Sequence, residues 1–97
     1  MAQDKRHSSP SALRNREPIR QVLVRFLPER SRVLEIAAGT GEHALYLSDG
    51  LDVAHWWPSD LGQESIDSIN AWRNTQARAA LHPAIRMDIS KPVDELI

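Results

Sequence analysis

Ninety-seven residues, with twelve Lys/Arg against thirteen Asp/Glu and no Cys, make at most one small domain and exclude a multidomain enzyme. The missing Cys excludes disulfides, thiolate zinc sites and a thiol nucleophile, and it fits a reducing, cytoplasmic setting. No apolar run approaches the ~20 residues of a membrane span, and Met1–Pro10 carries no secretory core, so no membrane partner is expected.

In chain order, residues 1–12 read as a flexible polar lead and residues 13–97 as the folded unit. Residues 1–32 hold eight basic and three acidic side chains, whereas residues 33–97 hold four and ten. The basic residues sit without aromatic interleaving on an amphipathic segment, which reads as a solvated helix face and gives no clear nucleic-acid signal. Ile19, Val22, Leu23, Phe26 and Leu27 recur at helical spacing. Pro18 suits the first turn of that helix, Glu17 or Asn15 its cap, and Pro28 its stop.

Val33–Ala38 is short, apolar and β-branched, as suits a strand covered on both faces. Gly39-Thr40-Gly41 leads into helix formers from Glu42 to Leu47, with Gly50 as a stop. Val53–Trp57 reads as a second strand ended by Pro58, Leu61 to about Arg78 as a further helix, and Ala84–Ile89 as a third strand. Strands alternating with helices predict an α/β fold with parallel pairing through right-handed crossovers.

The chemistry concentrates in Glu35-Ile36-Ala37-Ala38-Gly39-Thr40-Gly41. A strand-to-helix turn of small residues lets backbone approach a ligand and aims free N–H groups at it. Glu35 beside that turn repels a phosphate and suits an ammonium or a ribose. A phosphate-binding P-loop is excluded because no Lys follows the second Gly, and a Gly-x-Gly-x-x-Gly dinucleotide loop fails at Ala37 and Glu42. An acidic-x-Gly-x-Gly-x-Gly pattern, the first motif of class I methyltransferases, fits Glu35, Gly39 and Gly41, with Ala37 in place of the first Gly.

Asp60 ends the second strand candidate and can accept from both hydroxyls of a ribose; a helix N-cap is the plainer reading. Asp88 ends the third, where contact with an adenine amino group competes with a turn carboxylate. In open α/β sheets, ligands lie outside the carboxyl ends of the strands, where all three acids fall. Trp56 and Trp57 point to opposite faces of one strand and read as packing residues. The histidines show no metal-ligand spacing, so no metal is expected.

Ser9-Pro10-Ser11, Arg14-Asn15-Arg16-Glu17-Pro18-Ile19, the run from Val33 to His43, and Trp57-Pro58-Ser59-Asp60 together resemble the N-terminal half of the methyltransferase-like 26 family. The resemblance implies a Rossmann-like class I methyltransferase fold, here about three parallel strands in the order 3-2-1, with S-adenosylmethionine as cofactor. It implies that Glu35 and Ala37–Gly41 hold the methionine part, Asp60 the ribose and Asp88 the adenine, with His43 and Asn15 at the pocket; it leaves the methyl acceptor and any catalytic residue undefined. Ala38 and Glu42 stand where the family often has Ser and Gln, and family members are longer than this chain. The alternative is a truncated, non-catalytic fragment or binding module that needs a partner chain, or that self-associates through an exposed strand edge.

Overall fold

A computed structural model describes residues 4–76, 79–92 and 95. The elements run α1 (Pro10–Phe26), β1 (Ser31–Glu35), α2 (Glu42–Gly50), β2 (Val53–Asp60), α3 (Gln63–Arg73) and β3 (Ile85–Arg86). The three strands form one open sheet in the order β1-β2-β3, with both pairings parallel. The α/β class and the 3-2-1 neighbour order expected from the sequence are therefore observed.

The first helix starts eight residues earlier than Pro18 predicts. Ser9 is its N-cap, accepting from the Ala12 N–H at 3.4 Å, and Pro10 takes the first helical position. Ser followed by Pro is a start signal for two separate reasons: the hydroxyl accepts an orphan N–H, and the ring has no N–H to lose. Pro18 lies inside the helix on an exposed position. Neither Glu17 nor Asn15 is the cap; the Glu17 carboxylate accepts from Arg20 at 2.6 Å and from the Tyr46 hydroxyl. The helix ends at Phe26 with Leu27 as its cap, one residue before Pro28.

Strand β2 runs through Pro58 instead of stopping there. The Trp56 N–H donates to Ala80 O at 2.8 Å, so alternation turns the Pro58 nitrogen to the same side. On that side the neighbouring chain pairs only at Leu81 and again at Ile85–Arg86, and Pro58 falls in the gap, where it forfeits no ladder bond.

Strand β3 is two residues long, not six. Asp88 Oδ1 accepts from the Ser90 N–H at 3.0 Å and from its hydroxyl at 2.6 Å, so the chain turns where a longer strand would have continued. Helix α3 ends at Arg73, short of Arg78. Thr75 and Gln76 donate to Trp72 and Arg73 three residues back, a tightened last turn, and residues 77–78 lie outside the described residues.

Both crossovers step the sheet in the same direction, so a common hand puts α2 and α3 on one face. The core lies there. Ala44, Leu45, Leu47 and Leu51 pack with Trp56 and Leu81, and Ile19, Leu23, Val33 and Trp72 close around them. The other face of β1 is bare, contrary to the expectation of a strand covered twice: Leu34 is 49% exposed. On that face His55, Trp57 and His82 cover one another. The Trp57 ring stacks at 5.1 Å on His55 and 4.9 Å on His82, and the two imidazoles share a 2.8 Å hydrogen bond. No helix among the described residues is long and apolar enough to cross a membrane.

Candidate functional site

Parallel strands end at one edge of the sheet, so Glu35 and Asp60, the last residues of β1 and β2, lie along the same edge, and Asp88 sits two residues past β3. Between β1 and α2 the chain folds back tightly. Ala37, Gly39 and Gly41 all take left-handed backbone, at φ of 56°, 62° and 93°. Each glycine solves a different problem. A side chain at Gly39 would meet nothing within 4 Å, so its neighbourhood is open space. A Cβ on Gly41 would lie 2.6 Å from Ile69 Cα, so this glycine lets α2 approach α3. Ala37 holds the same left-handed conformation with a Cβ, a local strain that the surrounding bonds must sustain.

Those bonds come from the end of β2. The Ala38 N–H donates to Ser59 O at 2.8 Å, and the Gly39 N–H donates to Asp60 Oδ2 at 2.9 Å. Asp60 Oδ1 accepts from the Leu61 N–H at 2.7 Å. Asp60 therefore clamps the glycine loop and does not cap α3, whose N-cap is Gly62. A carboxylate has about four acceptor positions, so two bonds leave room for a ligand's hydroxyls.

Glu35 faces the helix-covered side and accepts from the Trp56 indole N–H at 3.0 Å. Burial pushes its carboxyl above the ordinary range. The indole N–H and the nearby His43 oppose that rise, and the Asp60 charge adds to it. Glu35 thus feels both neighbours at the sheet edge.

A cleft of about 280 Å3 opens beside the loop, lined by Ser9, Ser11, Asn15, Gly39, Thr40 and His43 among others. Asn15, Gly39 and His43, singled out in the sequence, share this cleft. His43 Nε2 lies 3.0 Å from Ala12 O, and since a carbonyl only accepts, that nitrogen carries the proton and ties α2 to α1. A second cleft of about 220 Å3, lined by His7, Glu64, Ser65 and Ser68, shares Gly39 and Thr40 with the first.

Asp88, Gly41 and Glu42 are each engaged within the protein. Asp88 is engaged by Ser90, a turn role, and lines neither cleft. Gly41 serves packing more than ligand approach. Glu42 is 4% exposed and accepts from the Ser9 N–H at 2.8 Å and the Thr40 hydroxyl at 3.3 Å. Thr40 falls within the expected Ala37–Gly41 loop; Ser9, Ser11 and Ser68 are additional, and the Ser9-Pro10 helix start was the available signal for the first two.

The donor set suits a neutral or cationic ligand with hydroxyls. The described residues lining the two clefts offer loop backbone, small hydroxyl side chains, the Asn15 amide, two imidazoles and the Glu64 carboxylate, with no Lys or Arg to hold a phosphate; Glu35 and Asp60, at the strand ends, line neither cleft. Among the described residues, no group of three or more His, Asp or Glu side chains is placed to hold a metal ion.

The family model for DUF938, described as a protein of unknown function, matches residues 6–97, so the chain belongs to that family. No solved structure matches it.

Proposed function

We propose that this DUF938 chain is the cofactor-binding half of a class I methyltransferase and takes S-adenosylmethionine in the cleft beside Gly39 and Thr40. One observation carries the reading: Asp60, at the end of β2, clamps the left-handed small-residue loop that follows β1, at the carboxyl edge of a parallel sheet. A loop bent this way and tied to its neighbour strand is preorganised for close backbone approach. The acidic edge formed by Glu35 and Asp60 suits an ammonium and a ribose.

The cofactor supplies an activated methyl group when bound; this chain's residues bind and orient. Glu35 and the backbone from Ala37 to Gly41 would hold the methionine part, and the free acceptor positions of Asp60 the ribose hydroxyls. Asn15 and His43, whose Nε2–H is fixed on Ala12 O, line the same cleft as Gly39 and Thr40. Asp88 has the weakest claim, since its carboxylate is engaged by Ser90. Methyl transfer depends mainly on alignment of donor and acceptor, so no residue of this chain is assigned a catalytic proton. The acceptor is left open.

Titration calorimetry with S-adenosylmethionine and S-adenosylhomocysteine tests the reading. Saturable binding that weakens at least tenfold in Asp60→Ala supports it; no heat with the folded wild type overturns it.

A second reading, a module that needs a partner chain, is favoured by the bare sheet face. Leu34 on β1, Ile36 just past its end and Phe26 on α1 are exposed, and among the described residues β1 is an open edge. Concentration-dependent mass in analytical ultracentrifugation would support self-association through that edge.

A further inference from the structure

The segment Asp4–Ser9, ahead of α1, has no regular secondary structure, yet it is bonded at several points to α2 and α3. The Trp72 indole N–H donates to His7 O at 2.8 Å, the Arg6 guanidinium lies 5.1 Å from the Trp72 ring centre, and Lys5 pairs with Asp67 at 3.6 Å. Those outer contacts fasten the strap to α3. Two inner contacts carry it to the glycine loop.

The first runs through Ser68, which is fully buried. Its hydroxyl accepts from the His7 N–H at 2.8 Å and donates to Thr40 O at 2.6 Å. The second runs through the buried Glu42, whose Oε1 accepts from both the Ser9 N–H and the Thr40 hydroxyl. Thr40 Oγ1 also accepts from the Glu42 N–H at 3.4 Å. Thr40 is thus held through its carbonyl and its hydroxyl, each time by a buried side chain that also holds the strap. His7 lines one of the two clefts beside Thr40 and Ser9 the other.

We infer that the strap Asp4–Ser9, acting through Ser68 and Glu42, sets the position of Thr40 and thereby the ligand affinity of the glycine-loop cleft. Ser68 and Glu42 are positioning residues, and neither needs to touch the ligand. Burial makes both relays strong discriminators, because a buried donor or acceptor that loses its partner is not rescued by water. The affinity part of this inference rests on the cofactor reading above; the loop-ordering part does not.

The experiment compares wild type, Ser68→Ala, Glu42→Ala and Glu42→Gln in the full chain. It reads amide hydrogen exchange across Gly39–Glu42, with the Trp56 amide as core reference, and S-adenosylhomocysteine affinity by calorimetry. Ser68→Ala and Glu42→Ala are expected to speed loop exchange at least tenfold relative to Trp56 and to weaken binding about five- to twentyfold. Glu42→Gln keeps a carbonyl oxygen that accepts from Ser9 and Thr40, so it stays within about twofold of wild type in both readouts.

Loop exchange unchanged in both alanine variants overturns the inference, as does a loosened loop with unchanged affinity. Equal damage in Glu42→Gln and Glu42→Ala overturns the Glu42 relay. Should Ser68→Ala fail to fold, the Glu42 pair decides. If the wild type binds no S-adenosylhomocysteine, the cofactor reading falls, and the exchange measurements alone decide whether the strap orders the loop.

Discussion

The two faces of the sheet are built from alternate residues of the same strands and have opposite fates. Val33, Glu35 and Trp56 meet three helices; Arg32, Leu34, His55 and Trp57, their chain neighbours, meet mainly one another and His82. Trp56 is 2% exposed and its indole N–H is satisfied by Glu35, whereas Trp57 rests half-buried on two imidazoles. Both stability and the candidate site follow the covered face. Its helices fix the β1–α2 turn from behind, and the acids at the strand ends define the front.

The comparison is broken most severely by exchanging the fates of adjacent tryptophans. Trp56→Ala removes the largest side chain of the core and is expected to cost about 3–5 kcal/mol, whereas Trp57→Ala costs about 1 kcal/mol or less. Urea unfolding of the two variants checks this, and equal losses would mean that the open face is also packed in solution. Next in size is Gly41→Ala. Left-handed backbone and a clash with Ile69 Cα, which is main chain and cannot swing aside, predict a loss of about 2–4 kcal/mol; the same change at Gly39, in open space, costs only the backbone term of about 1–2 kcal/mol.

Smaller effects lie in the pH dependence. Burial raises the folded-state pKa of Glu35 above its unfolded value, so the folded state binds the extra proton. Its contribution to stability is therefore greatest at low pH and declines as pH rises from the ordinary glutamate range through the raised folded value. Glu35→Gln removes that decline, because the amide does not ionise, while its oxygen still accepts from Trp56; unfolding followed across that window detects it. Glu17 works the other way and is the smallest. Bonded to Arg20 and Tyr46, its carboxyl is lowered to about 2. Its contribution is present above the ordinary glutamate range and fades as pH falls from there toward about 2, and Glu17→Gln removes that acid-side slope. The group is solvent-exposed, so the slope is shallow.

The alternation of elements was legible because apolar periodicity records burial, and burial is what distinguishes a helix stripe from a strand. The glycine loop was legible for a similar reason, since few residue types tolerate a left-handed turn; Asp60 was legible as a strand-end carboxylate, but its bond to the Gly39 N–H was not. Errors gathered where a local cue competes with a distant partner. Pro58 signals a strand end, and only the gap in pairing on its own side lets the strand continue. Pro18 signals a helix start, yet Ser9-Pro10 supplies a better one. The strap's buried partners, Ser68 and Glu42, had no sequence signal at all, since a buried serine and a buried glutamate look like surface residues until their bonds to Thr40 are seen.

The central proposal, that the sheet edge at Gly39, Thr40 and Asp60 receives S-adenosylmethionine, is met most directly by mapping amide chemical shifts as its demethylated thioether product, S-adenosylhomocysteine, is added. The account predicts saturable shifts clustered on Ala38, Gly39, Thr40, His43 and Leu61, with Trp57 and His82 on the bare face unmoved. Shifts centred on the bare face, or none in a folded chain at millimolar ligand, would contradict it.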